Sequence, residues 1–310
     1  MNTQPNADQD HRGPKGETQR IGAAAAASWI GGGHRFERGE GRGIFYRREG
    51  KGGTTMVMLH GFPTWSYDYV DLVPHFTADH EVIAFDFHGY GASDKPRDHQ
   101  FTVAESADTV ESLLSALGVP SARLVIHDYG GIVGQELLDR RRLGRLSFKV
   151  EGVHLMNCGV VFEQYRPHPL ERMLASRVIG KLVASLITKQ KVRAALDAVR
   201  GPTHHLSDEL FEELWYGIAR NGGHKLFHRH IRVNQERALH AARWLSALEA
   251  YDGPLHLIWG LADPVSGTPV LDALRPLVPN ARVDALPGVG HFPMSEAPAS
   301  VAAAIRGALQ

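Results

Sequence analysis

The chain has 310 residues, 43% of them hydrophobic, and its 34 lysines and arginines are balanced by 34 aspartates and glutamates. That length supports one sizeable core carrying an inserted segment, and a net charge of zero gives no bias toward nucleic acid or strongly acidic partners. A single cysteine, Cys158, excludes an intramolecular disulfide and fits a reducing compartment, so a cytoplasmic location is expected.

Residues 1–20 are polar, with little to bury, and are expected to be a disordered tail. Ala23 to Ile30 is apolar but too short, with polar residues before it and glycines after it, to read as a signal peptide or a membrane span. Met56-Val57-Met58-Leu59 reads as a buried strand running into the turn His60-Gly61-Phe62-Pro63. A helical stretch over Val103 to Leu117 precedes the strand Ala122 to Ile126. That strand enters His127-Asp128-Tyr129-Gly130-Gly131 and a second helix from Ile132 to Arg142. A sharp strand-to-helix turn of this kind presents a nucleophile, and here the presented side chain is Asp128, with two glycines allowing close approach of strand and helix. No serine in the chain lies in a Gly-x-Ser-x-Gly pattern, which disfavours serine-hydrolase chemistry. Backbone N–H groups of Phe62 and Tyr129 are placed to meet an oxygen that gains negative charge.

Gly152 to Met156 is the next strand, after which Cys158 reads as a small buried side chain. Alternating strands and helices then give way to helical character, and strand signals resume at Leu255. The chain therefore divides into the tail, a first core segment over 21–159, a helical insertion over 160–243 and a second core segment over 244–310. Within the insertion, Met173 to Ile187 carries an apolar stripe, and six basic residues with no acid lie between Arg172 and Arg193. The expected arrangement is a helix packed on the core with a solvated basic face; the sharper alternative is weak docking on anionic membranes. Histidines 204, 205, 224, 228 and 230 include one pair at helix spacing, His224 and His228, but no completing carboxylate or thiol. They read as solvated, and no metal is expected.

Leu255 to Gly260 is a strand followed by Asp263, and the strand Val283 to Leu286 leads to a Gly/Pro-flanked loop bearing His291. Nucleophile, acid and base thus fall in the order expected of an α/β fold with a mostly parallel sheet. Asp128, Asp263 and His291 are the candidate catalytic residues.

Together these residues resemble the α/β-hydrolase fold, in the aspartate-nucleophile branch that holds epoxide hydrolases and haloalkane dehalogenases. His60 to Asp68, Ser93 to Arg97, His127 to Gly130 and Gln135 to Leu138 are similar to the mesoderm-specific transcript subfamily, over about Thr55 to Pro298. The resemblance implies an inserted helical cap, a covalent alkyl-enzyme ester and no cofactor. It also implies cap tyrosines that support a departing oxygen, for which this chain offers Tyr165 and Tyr216. The expected substrate is a small apolar electrophile, an epoxide by preference. A haloalkane is the alternative, although Tyr129 stands where dehalogenases carry a tryptophan, and a non-catalytic binding role is the second alternative.

Overall fold

The computed structural model describes residues 15–39 and 42–309. Its sheet has eight strands: β1 (His34–Glu37), β2 (Gly43–Glu49), β3 (Thr55–Leu59), β4 (Val82–Phe85), β5 (Ser121–His127), β6 (Lys149–Met156), β7 (Leu255–Gly260) and β8 (Arg282–Leu286). They are ordered β1-β2-β4-β3-β5-β6-β7-β8, antiparallel where β2 meets β1 and β4 and parallel elsewhere. The central strands are apolar on both faces because both are covered. Val57 and Leu59 of β3 enter one core cluster, while Met56 and Met58 enter the other, as the two-residue period of a strand requires.

The first cluster receives α2 (Val103–Ala116) and α3 (Tyr129–Arg142). Thr102 caps α2, its side chain accepting from the Glu105 N–H. An N-terminal helix, α1 (Lys15–Gly31), takes in residues 15–20, which therefore are helical and not part of a disordered tail; residues 1–14 lie outside the described residues. Its apolar run is a packing surface: Ala26 and Trp29 are buried, and the Trp29 indole donates to Ser66 Oγ at 3.2 Å. Among the described residues no helix is long and apolar enough to cross a membrane.

Between β6 and β7 the chain forms α4 (Pro169–Ala175), α5 (Gly180–Ser185), α6 (Lys189–Asp197), α7 (Asp208–Ala219), α8 (Phe227–His230) and α9 (Val233–Glu249). Helix α9 carries through residue 243 without a break. Its second half packs on α3, where Arg243 donates to Asp139 Oδ2 (2.6 Å) and Glu136 Oε2 (2.8 Å) and the Trp244 indole donates to Glu136 Oε2 (2.8 Å). The stripe from Met173 to Ile187 is not one helix, since α4 and α5 are separated by Ser176 to Ile179. Nor does it pack as a whole on the core. Leu174, Ala184 and Ile187 are buried, whereas Met173, Val178, Ile179, Leu182 and Leu186 face outward. After β7, α10 (Thr268–Leu274), α11 (Pro293–Glu296) and α12 (Pro298–Gly307) complete the core.

Candidate active site

Five parallel-strand ends converge on one side of the sheet: His60 to Phe62 after β3, Asp128 after β5, Asn157 after β6, Asp263 after β7 and His291 beyond β8. The turn at Asp128 is tight, with φ 44° and ψ −111°, a conformation that L residues rarely adopt and that a well-determined surrounding must hold. Gly130 makes that possible, because a β-carbon there would lie 2.2 Å from the Leu59 carbonyl oxygen; at Gly131 it would lie 2.5 Å from Cys158 Sγ. Cys158 itself is buried, its thiol pushed up by burial and its Sγ 3.1 Å from the Asp128 carbonyl oxygen.

The Phe62 N–H donates to Asp128 Oδ2 at 2.9 Å, so one carboxylate oxygen is held by the turn that follows β3. The other, Oδ1, faces His291 Nε2 across 3.9 Å, beyond direct hydrogen-bond range. On its far side, His291 Nδ1 lies 2.8 Å from Asp263 Oδ2. Asp263 is buried and accepts three further bonds, from the Val265 N–H (2.7 Å), Asn157 Nδ2 (2.9 Å) and Ser266 Oγ (2.8 Å). Burial alone would raise the Asp263 carboxyl, but the His291 imidazolium and these donors outweigh it and hold it down, to about 2. For His291 burial acts downward, and the charges and hydrogen bond of Asp263, then Asp128, then Glu171, lift it to about 9.

Asn157 gives no sign in the sequence beyond its place at a strand end. It sits at φ 25°, accepts from the Gly260 N–H at 2.7 Å and donates to Asp263, so it fixes the loop that carries the acid.

A model of the α/β-hydrolase fold matches residues 54–298. The chain belongs to the α/β-hydrolase fold family. It is 36% identical to LipZ, a proposed hydrolase of Mycobacterium tuberculosis, over 84% of this chain and 91% of that protein. To the human mesoderm-specific transcript homolog protein it is 37% identical, over 78% of this chain and 75% of that one. In structure it is similar to a haloalkane dehalogenase from Bradyrhizobium elkanii (TM-score 0.73, 21% identity, 89% and 95% of the two chains). It is similar also to the epoxide hydrolase CorEH (TM-score 0.69, 19% identity, 89% and 97%). At those identities the structures share the fold with this one.

In this α/β hydrolase the helices between β6 and β7 border a cavity of about 800 Å³, including the space open to solvent, beside Asp128. Its wall is mostly apolar, from Phe62, Leu174, Leu196 and Ile231 among others, with a few polar groups. Tyr165 is one of these. Its hydroxyl donates to Glu171 Oε2 at 2.5 Å, and the Arg237 guanidinium lies 4.0 Å above its ring. Glu171 and Arg237 both line the cavity, and burial lifts the Glu171 carboxyl to about 7. Neither residue carries a local sequence signal.

Two expectations, on Tyr216 and on His230, are corrected. Tyr216 is not at the cavity, because α7 turns that side chain toward the second core cluster. The Tyr129 ring does border the cavity, but its hydroxyl bonds Ser106 Oγ at 2.7 Å, away from Asp128. His230 is buried where cap meets core, stacked on Tyr90 at 4.1 Å, and is not solvated. Among the described residues, the group whose donors could converge on a metal ion is His88, His99 and Glu105, within 4.8 Å of one another and outside the cavity. Glu105 there accepts from both rings, at 3.3 and 2.6 Å.

Proposed function

We propose that this α/β hydrolase opens an epoxide through a covalent ester on Asp128. The observation that carries the reading is the split environment of that carboxylate: Oδ2 held by the Phe62 N–H, Oδ1 turned to the cavity and to His291. Oδ1 attacks the ring carbon, the carbon–oxygen bond breaks, and the departing oxygen takes the Tyr165 proton. Glu171, protonated below its value of about 7, replaces that proton through its hydrogen bond to Tyr165. In the second step His291, oriented by Asp263, removes a proton from water as it attacks the ester carbonyl, and the Phe62 and Tyr129 N–H groups receive the oxyanion. His291 passes that proton to the departing alkoxide as the ester bond breaks, the diol leaves, and the Asp128 carboxyl releases its proton, so that the carboxylate returns and Glu171 is protonated again.

A haloalkane fits less well. Halide needs desolvated N–H donors, and no indole lines the cavity among the described residues; the Trp65 N–H is spent on the Leu214 carbonyl. A non-catalytic role is disfavoured because Asp128, Asp263 and His291 are all retained in mutual register.

The test is a single turnover with enzyme in excess, in heavy-oxygen water, on the active member of a panel of epoxides, haloalkanes and esters. Label is expected in the Asp128 carboxylate. Label found in product alone would replace the covalent route with direct attack by water.

A further inference from the structure

Of the large apolar side chains left exposed among the described residues, all but Leu143 lie on the cap. Val178 is 90% exposed, Leu186 62%, Leu182 59% and Met173 48%, all within the stretch from α4 to the residue that follows α5. Folding leaves this surface in water at a cost, and an exposed aliphatic cluster of this kind marks a surface that is covered in use.

Its charge says by what. Arg172, Arg177, Lys181 and Lys191 are exposed, and among the described residues none makes an ion pair with a carboxylate; Lys189 and Arg193 pair with Glu212 and Asp208 on α7. No acid occurs between Arg172 and Arg193. Exposed Arg232 and Leu239 continue the patch across the groove beside Arg177. The one acid lining that groove, Glu236, is turned to the core, accepting from the Val103 N–H at 2.7 Å. A second copy meeting this face about a two-fold axis would set the same basic residues against one another. Protein hot spots favour tryptophan, tyrosine and arginine in pockets, whereas here single aliphatic side chains project from two short helices.

We infer that the α4–α5 face of the cap docks on an anionic lipid surface, inserting Val178, Leu182 and Leu186 among the acyl chains while Arg172, Arg177 and Lys181 meet lipid phosphates. The cavity lies directly behind this face. Leu170, Glu171 and Leu174 of α4 line the cavity while Met173 of the same helix faces out, so one layer of helix separates the lipid from the site. An apolar substrate dissolved in the bilayer would reach Asp128 by crossing that layer. The docking itself stands whichever electrophile Asp128 attacks.

Vesicle flotation of the full chain tests it without an activity readout. Binding is expected to phosphatidylcholine vesicles containing phosphatidylserine and not to phosphatidylcholine alone, and it should weaken as salt rises. Each basic residue removed from the face is expected to weaken binding roughly fivefold. Arg177→Gln with Lys181→Gln should therefore lose about 25-fold, and Val178→Ser with Leu182→Ser at least about tenfold. These side chains are solvent-exposed, and unchanged thermal melting of both variants would verify the fold. Absence of binding to the phosphatidylserine vesicles overturns the inference. Undiminished binding by both variants does so as well, as does a dimer that the apolar variant converts to monomer without any vesicle binding.

Discussion

Asp128→Asn should make His291 a better base at neutral pH. The substitution keeps the size of the side chain and an oxygen for the Phe62 N–H, but removes a negative charge 3.9 Å from His291 Nε2. At that separation the attraction is about 1 kcal/mol if the gap screens like water and about 4 kcal/mol at the effective dielectric of a protein surface. At about 1.4 kcal/mol per pKa unit, the imidazole should fall by roughly one to three units from its value of about 9. Asp263 still holds it above where burial alone would place it. The measurement is a proton–carbon NMR titration of histidine-labelled protein, with the His291 signal assigned by its loss in His291→Gln. A midpoint that stays put or rises would refute the electrostatic account. The same arithmetic applies to the ester intermediate, in which Asp128 has likewise lost its charge. Ester hydrolysis should therefore rise with pH through the lowered value and level off above it, so that forming the ester itself readies the base.

With a confirmed substrate, His291→Gln should accumulate a stoichiometric adduct by intact mass while Asp128→Ala shows none; unmodified masses in both would remove His291 from its assigned step. Tyr165→Phe should slow ester formation by roughly a hundredfold with little change in hydrolysis, read by rapid-quench kinetics. In the parent enzyme ester formation should decline as pH rises through about 7, where Glu171 loses its proton, and Glu171→Gln should flatten that limb. A limb that persists in the glutamine variant would assign it elsewhere. Gly130→Ala forces a β-carbon to 2.2 Å from a backbone oxygen that cannot turn away, so urea unfolding should show a loss of about 3 kcal/mol.

The core of this site was legible because its signals are local. A strand, a sharp turn with paired glycines and a helix are consecutive in sequence at Asp128, and Asp263 and His291 each follow a strand within a few residues. Once the order of the strands is fixed by right-handed crossovers, those three must meet. The cap gave no such leverage. Which face of α7 turns inward depends on α1 and the core beneath it, so Tyr216 could not be separated from Tyr165 by spacing. Glu171 and Arg237 reach the cavity from helices far apart in the chain, and each would pass as an ordinary surface charge by composition. The stripe at Met173 to Leu186 failed in the opposite direction: its periodicity is that of a buried face, but the break at Ser176 to Ile179 turns much of it to solvent. Asn157 was hidden by its neighbour Cys158, the rarer residue type and the more conspicuous.

Helix α9 is a single rod with its two ends in different chemistry. Near its start Asn234 and Arg237 form part of the cavity wall, and near its end Arg243 and Trp244 are bolted to Glu136 and Asp139, about two turns and one turn from the C-terminus of the helix that Asp128 opens. About 9 Å of unbroken helix separates Arg237 from Arg243. Asp128 and that wall thus share one frame, and on the proposed function substrate is expected to enter past the other wall, where α4, α5 and α6 are short and joined by loops. Amide exchange is expected to be sooner along those helices than along α9, making the cap a door hung on one fixed jamb.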